Sequence, residues 1–282
     1  QRSRARVMTV MMGPGGGTGY AERVAVDVEA IDASAIGHEA AQRTAAMANP
    51  IELPAGEYPV VLDHYATMDL ALWLGAVGFN AQDVQEQQSF YEPGKVVASS
   101  LISLADDGTD QLGAPASFDY EGVAKQRVPL LEHGVCRALV HDSKSAAADD
   151  VPSTGHALPA PNPWGPNPLN LSMAPGEISR AEVIGGLERG LLVTRFHYTN
   201  AVHPRQVKIT GMTKDGLFLV EDGEIVAPVK NLRFTQSYLD ALAAVEAVSR
   251  ERRAVDGDDY LGTIVVPALR ISAFSFTGTT EH

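Results

Sequence analysis

Most hydrophobic positions of this chain fall in short runs of strand length, bounded by Gly, Pro, Asn and Asp. Residues 7–12 read as a strand, the Gly-rich stretch after Pro14 as a turn and 20–28 as a second strand, which together predict a hairpin. Asp32 and Ser34 can cap an Ala-rich helix over 35–48 that stops at Asn49 and Pro50. Residues 59–62 predict a short buried strand, and 67–79 an apolar helix. From residue 95 onward strands dominate, at 95–104, 128–131 and 135–141, the last two flanking a turn at Glu132, His133 and Gly134. Residues 152–168 hold six prolines and predict a long irregular loop, a feature usually functional or mobile. Ser179 caps a short helix over 179–190. The clearest hairpin joins 217–220 to 225–229 through Glu221, Asp222 and Gly223. Leu239, Leu242, Val245 and Val248 share one face of an amphipathic helix predicted over 237–250. Strands at 264–266 and 269–275 follow. The fold class is α+β, with mostly antiparallel strands and a few packed helices.

Composition narrows the function. The chain has 282 residues, 45% of them hydrophobic, enough for one large core or two modest ones. Its net charge of −13 repels phosphate backbones and anionic lipid, so neither nucleic acid nor a membrane surface is an expected partner. No apolar run reaches the ~18 residues of a membrane span. Residues 7–12 are too short and too mixed for a signal core. The single cysteine, Cys136, allows no disulfide within the chain and fits a reducing compartment, so a cytoplasmic location is expected. Gln1 reads as other than the natural start, since no Met precedes the first strand.

The candidate chemistry is sparse. His38 and Glu39 lie on a predicted helix, but Gln42 and Arg43 stand where a zinc helix would carry its second His. An exposed face with a Glu39–Arg43 pair accounts for them better. None of the eight histidines has a compact ligand spacing to another. His133 and His141 would lie about 26 Å apart on a regular strand. Cys136 reads as a small buried hydrophobe. The stretch 13–19 lacks the Lys-Ser/Thr ending of a phosphate loop and reads as a hairpin turn. Asp106 with Asp107, and Asp258 with Asp259, read as turn residues.

Six segments, in order, resemble the C-terminal domain of the TldD/PmbA metallopeptidase family. They are 54–62 (PAGEYPVVL), 118–123 (FDYEGV), 130–135 (LLEHGV), 153–157 (STGHA), 188–194 (ERGLLVT) and 220–229 (VEDGEIVAPV). The resemblance runs over about 6–274, with 1–31 similar to a remnant of the family's N-terminal domain and 32–282 to its C-terminal domain. It implies curved, mostly antiparallel sheets enclosing a cleft. In TldD-like members a helix after the 59–62 strand bears His-Glu-x-x-x-His, and a later Cys completes a zinc site. By that correspondence the ligand positions here hold Leu72 and Val77, and the general-base position holds Trp73; 259–266 holds no Cys. The resemblance is thus to the PmbA/TldE-like branch, with no metal or cofactor in this chain and zinc in a partner.

The implied assembly is a heterodimer with a TldD-like catalytic subunit, in which this chain binds a flexible, extended peptide for proteolysis. His156, Asn162, Asn167 and His203 are the candidate cleft residues. Phe196, His197, Tyr198, Val202, His203 and Pro204 depart from the family's Gly-rich sequence in this stretch. Two alternatives stay open: an autonomous, non-enzymatic scaffold, or a zinc peptidase with a rearranged site using His38, His197 or His203.

Overall fold

A computed structural model describes residues 3–14, 16–256 and 262–279. The N-terminal hairpin pairs β1 (Ala5–Met12) with β2 (Thr18–Ala25) antiparallel, Val10 opposite Tyr20. The helix α1 (Ala33–Ala46) follows; the Asp32 carboxylate accepts the Ala35 N–H at 2.9 Å and so satisfies one of the open donors of the first turn. Next come β3 (Gly56–Leu62), α2 (His64–Gly78), α3 (Ala81–Gln85), β4 (Leu104–Asp107), β5 (Arg127–Glu132) and β6 (Val135–Cys136). The chain continues through α4 (Ser143–Asp149), β7 (Leu171–Met173), α5 (Arg180–Gly185), β8 (Arg189–His203), β9 (Lys208–Glu221) and β10 (Glu224–Pro228). It finishes with β11 (Leu232–Ser237), α6 (Tyr238–Ala243), β12 (Val245–Val255) and β13 (Ile264–Thr279).

Among the described residues, eleven strands form one sheet in the order β10-β9-β8-β3-β13-β7-β4-β5-β6, with β11 joining β13 to β9 and β12 pairing with β13. Most neighbours are antiparallel; β3–β8 and β7–β13 are parallel. The long strand β13 is central because it is apolar on both faces: Ile264, Val265, Val266, Ala268, Leu269 and Ile271 are all buried. Helix α2 packs on this sheet, placing Leu70 and Leu74 in one core with Val60, Leu62, Leu269 and Ile271. Burying each such side chain contributes roughly 1.5–3 kcal/mol. Phe196, Phe234 and Phe274 meet at ring separations of 4.5–5.5 Å and fix β8, β11 and β13 together.

Charged groups fasten the hairpin and α1 to this sheet. Asp63, the cap of α2, is buried and receives Arg180 through two bonds of 2.9 Å, Arg43 at 3.3 Å and His64 Nδ1 at 2.8 Å. Glu39 binds Arg43 at 3.0 Å, Arg23 at 2.7 Å and Arg253 of β12 at 2.7 Å. The expected Glu39–Arg43 pair is present, but Glu39 is also half-buried by its other two partners. His38 stays exposed, its Nδ1 2.8 Å from the Ser34 carbonyl oxygen.

Several sequence expectations are corrected. The helix expected over 237–250 stops at Ala243, and Val245 onward pairs with β13, Val245 opposite Ile271 and Val248 opposite Leu269. Pairing with an apolar strand outweighs helical spacing there. The strand expected over 95–104 is regular only from Leu104. Before that, Val97 and Ala98 donate to the Gly134 carbonyl, and Ser99 donates to Leu242. The strand expected over 135–141 is regular only at Val135–Cys136. The helix expected over 179–190 is shortened to α5. The two strands expected over 264–275 are one. Asp106 is not a turn residue: it lies in β4, fully buried. Asp258 and Asp259 fall outside the described residues. Among the described residues no helix is long and apolar enough to cross a membrane.

Candidate functional site

Helix α2 is apolar nearly all round, which suits a helix pressed between a sheet and covering loops. Leu72, Trp73 and Val77 lie on it, partly buried and packed against the main core. Leu72 and Val77 carry no donor atom for a metal. The Trp73 indole N–H has no lone pair to give and is already donated to Thr199 Oγ1 at 3.0 Å. These residues do not fit a zinc ion, which takes imidazole, thiolate or carboxylate ligands. His64 sits on the first turn, its Nδ1 against Asp63 and its Nε2 3.3 Å from the Glu251 carbonyl oxygen. Among the described residues no group of three or more His, Cys, Asp and Glu side chains is gathered to hold a metal.

A buried polar network is centred on Asp69 of this helix. Thr199 of β8 donates to Asp69 Oδ1 at 2.8 Å, and Tyr238 of α6 donates to Asp69 Oδ2 at 2.5 Å. Burial pushes the Asp69 carboxyl up to about 6, against the hydrogen bonds from Tyr238 and Thr199 that favour its charged form. The same burial, with Asp69 beside it, raises the Tyr238 phenol. Asp69 was legible as a signal, being the one Asp, Glu, Lys or Arg between Asp63 and Asp83, but neither it nor Thr199 was singled out from sequence.

Thr199 sits on a strand that β3 borders over only part of its length. Strand β3 pairs with β8 only from Leu191 to Val193, and β9 holds its other edge. Beyond Val193, among the described residues, no strand pairs with β8 on the side away from β9. The β8–β9 register shifts between His197 and Asn200, so Tyr198 and Thr199 occupy a bulge, and Tyr198 takes a left-handed φ of 56°. Near the end of this strand lie two adjoining clefts of about 420 and 320 Å³ that share Gln206, Ser237 and Asp240. Another cleft of about 440 Å³ lies between Asp107, Asp110, Arg127, Ser172 and Arg252.

The four candidate cleft residues divide into two places. His156 is fully buried, its Nε2 2.8 Å from Asp106 Oδ1 and its Nδ1 2.9 Å from Thr154 Oγ1. Lys125 Nζ reaches the same Asp106 oxygen at 3.1 Å. Burial raises the Asp106 carboxyl, but His156 and Lys125 more than offset that and hold it below the usual range. The space beside His156, lined by Phe118, Tyr120 and Lys125, is about 30 Å³, room for roughly one water. Asn167 joins this group by donating its backbone N–H to the His156 carbonyl at 3.0 Å. Asn162 binds Gly165 O at 2.8 Å and shapes the loop tip at Trp164. His203 is exposed on a different element, at the end of β8, beside the two adjoining clefts' Arg205 and Gln206 in sequence. His197 is also on β8, half-buried, its ring 6.3 Å from that of Tyr198.

Comparison with known proteins agrees with this architecture. A family model described as the PmbA/TldA metallopeptidase C-terminal domain matches residues 55–278. A metalloprotease TldD homolog from Buchnera aphidicola of Schizaphis graminum is 26% identical over 248 residues, covering 81% of this chain and 50% of the relative. One from Haemophilus influenzae is 26% identical over 265 residues, covering 86% of this chain and 52% of the relative. The chain thus spans about half the length of the relatives it matches. Among solved structures, TldE from Thermococcus kodakarensis superposes with a TM-score of 0.85 at 21% identity, covering 98% of this chain and 63% of that one. A Thermotoga maritima structure gives 0.85 at 23%, covering 97% and 62%.

Proposed function

Because the chain belongs to the PmbA/TldA metallopeptidase family through its C-terminal domain, we propose that it acts as the family's non-catalytic, TldE-type subunit. In this reading it binds extended peptide and pairs with a zinc-bearing TldD-like subunit that performs the hydrolysis. The observation that carries the reading is the occupation of α2 by Leu72, Trp73 and Val77, whose side chains are packed into the core or hydrogen-bonded to Thr199 instead of presented to a metal. A subunit without ligands of its own needs a partner's metal for proteolysis. The unpaired side of β8 supports the peptide half of the reading. An added strand would gain main-chain hydrogen bonds there with little demand on its sequence.

The test is metal analysis and peptidase assay of the purified chain, alone and mixed with a TldD-like protein of the same host. The expected result is no stoichiometric zinc and no cleavage alone, with chelator-sensitive cleavage and a mixed dimer once the partner is added. Chelator-sensitive cleavage by the chain alone would overturn the reading. Failure to recover any zinc-bearing partner from the host would favour an autonomous scaffold instead.

A further inference from the structure

The outer arm of the β8–β9 pair differs in charge from the rest of the molecule. From Arg195 to Lys214 the sequence contains Arg195, Arg205, Lys208, Lys214, His197 and His203 but no Asp or Glu, in a chain of net charge −13. Arg195 is matched by Asp215 at 2.7 Å. At the tip, Arg205 and Lys208 are exposed, and neither has a carboxylate oxygen within 4.0 Å among the described residues. Acidic groups are present in the clefts beside them: Glu57, Asp240 and Glu92, the last already paired with Lys95 at 2.5 Å.

The same arm displays apolar surface. Tyr198 is 76% exposed and Val202 58%. Tyr198 is held out by its bulge, and a non-Gly residue with a left-handed backbone persists only where its surroundings enforce it. Here the enforcement is visible: the next residue, Thr199, is clamped by Trp73 and Asp69 of α2. A rigid, exposed aromatic ring on β8, followed by two exposed cations with no carboxylate partner among the described residues, is a linear array that an extended chain can read in order.

We propose that this arm selects the bound peptide, and that it selects extended segments carrying acidic side chains near an apolar one. Tyr198 and Val202 take the apolar side chain, and Arg205 and Lys208 take the carboxylates. The proposal rests on the peptide-binding reading above and adds the class of peptide.

Fluorescence polarisation with the whole 282-residue chain and three matched unstructured peptides tests it: a Glu-rich peptide with one Phe, its Lys-rich counterpart, and the Glu-rich peptide with Phe replaced by Ser. The Glu-rich, Phe-containing peptide is expected to bind about ten-fold tighter than the Lys-rich one, from two exposed charge contacts. Added salt should weaken the acidic peptide, even though it screens that peptide's repulsion from a chain of net charge −13. The exposed double variant Arg205→Glu with Lys208→Glu should reverse the order. Tyr198→Ala should erase the advantage of Phe over Ser and leave the charge preference. Equal binding of acidic and basic peptides, or an unchanged order in the double variant, overturns this proposal and leaves the peptide-binding reading standing. Binding of none of the three overturns both. The salt response needs no variant and so is independent of any effect of substitution on folding.

Discussion

Trp73 on α2 donates its indole N–H to Thr199 Oγ1 at 3.0 Å, so its one donor is spent on holding β8. This bond is half of the clamp that sets the bulge at Tyr198. Trp73→Phe keeps a ring but loses the donor, and should cost about 1 kcal/mol. Trp73→Ala also removes buried surface and should cost about 3 kcal/mol. Urea unfolding followed by circular dichroism measures both; equal costs for the two variants would mean that the hydrogen bond carries the interaction and the ring packing none.

Asp69 makes stability depend on pH in an unusual sense. Its carboxyl is pushed up to about 6 in the folded state, against about 4 in an unfolded chain. A raised acid favours the fold when protonated. Its contribution is therefore complete below about pH 4 and is lost as pH rises through 6, by an amount on the order of 3 kcal/mol. Asp69→Asn removes the titration, so its stability curve between pH 4 and 6 should be flatter on this account. Parallel curves for the wild type and the variant would refute the assignment.

Asp63 behaves oppositely. Burial raises its carboxyl, but the His64 hydrogen bond and the Arg180 charge hold it well below the usual carboxylate range. Its contribution is present above about pH 4 and lost as pH falls through the folded value. Asp63→Asn leaves Arg180 and Arg43 facing a neutral group and should cost about 3 kcal/mol at neutral pH, with less loss in acid. Thermal melts at both pH values report it.

Gly155 lies between the Thr154 and His156 contacts with φ at +77°, and a Cβ there would come within 2.5 Å of the Ala124 carbonyl oxygen. Gly155→Ala should cost about 2 kcal/mol or more, from the left-handed backbone and the clash together. The expected readout is increased protease cutting within 152–168, and an unchanged cutting pattern would count against it.

The N-terminal hairpin, α1, the start of α5 and the β9–β10 hairpin were legible because each is signalled locally, by caps at Asp32 and Ser179 or by turn residues such as Asp222 and Gly223. Residues 245–250 were misread because Val245 and Val248 fit a helical face and a strand equally well, and only their partners Ile271 and Leu269 decide. Leu72, Trp73 and Val77 were singled out only through family likeness, which said nothing of the clamp to Thr199. It joins residues 126 apart in the chain, and nothing in spacing announces such a meeting. The same holds for Asp106, which looked like a turn residue until Lys125 and His156 were seen to converge on it.

The central place of β13 has a kinetic consequence. It borders β3, β7, β11 and β12, yet it follows all four of them in chain order. On a ribosome, β3 and the strands that follow it are made long before the strand that unites them, with Val61 waiting for Arg270. Such distant pairing slows folding and prolongs exposure of unpaired edges. Nascent chains that stop short of residue 264 should be held by chaperones, and protease resistance should be acquired in one nearly all-or-none step once β13 has been made.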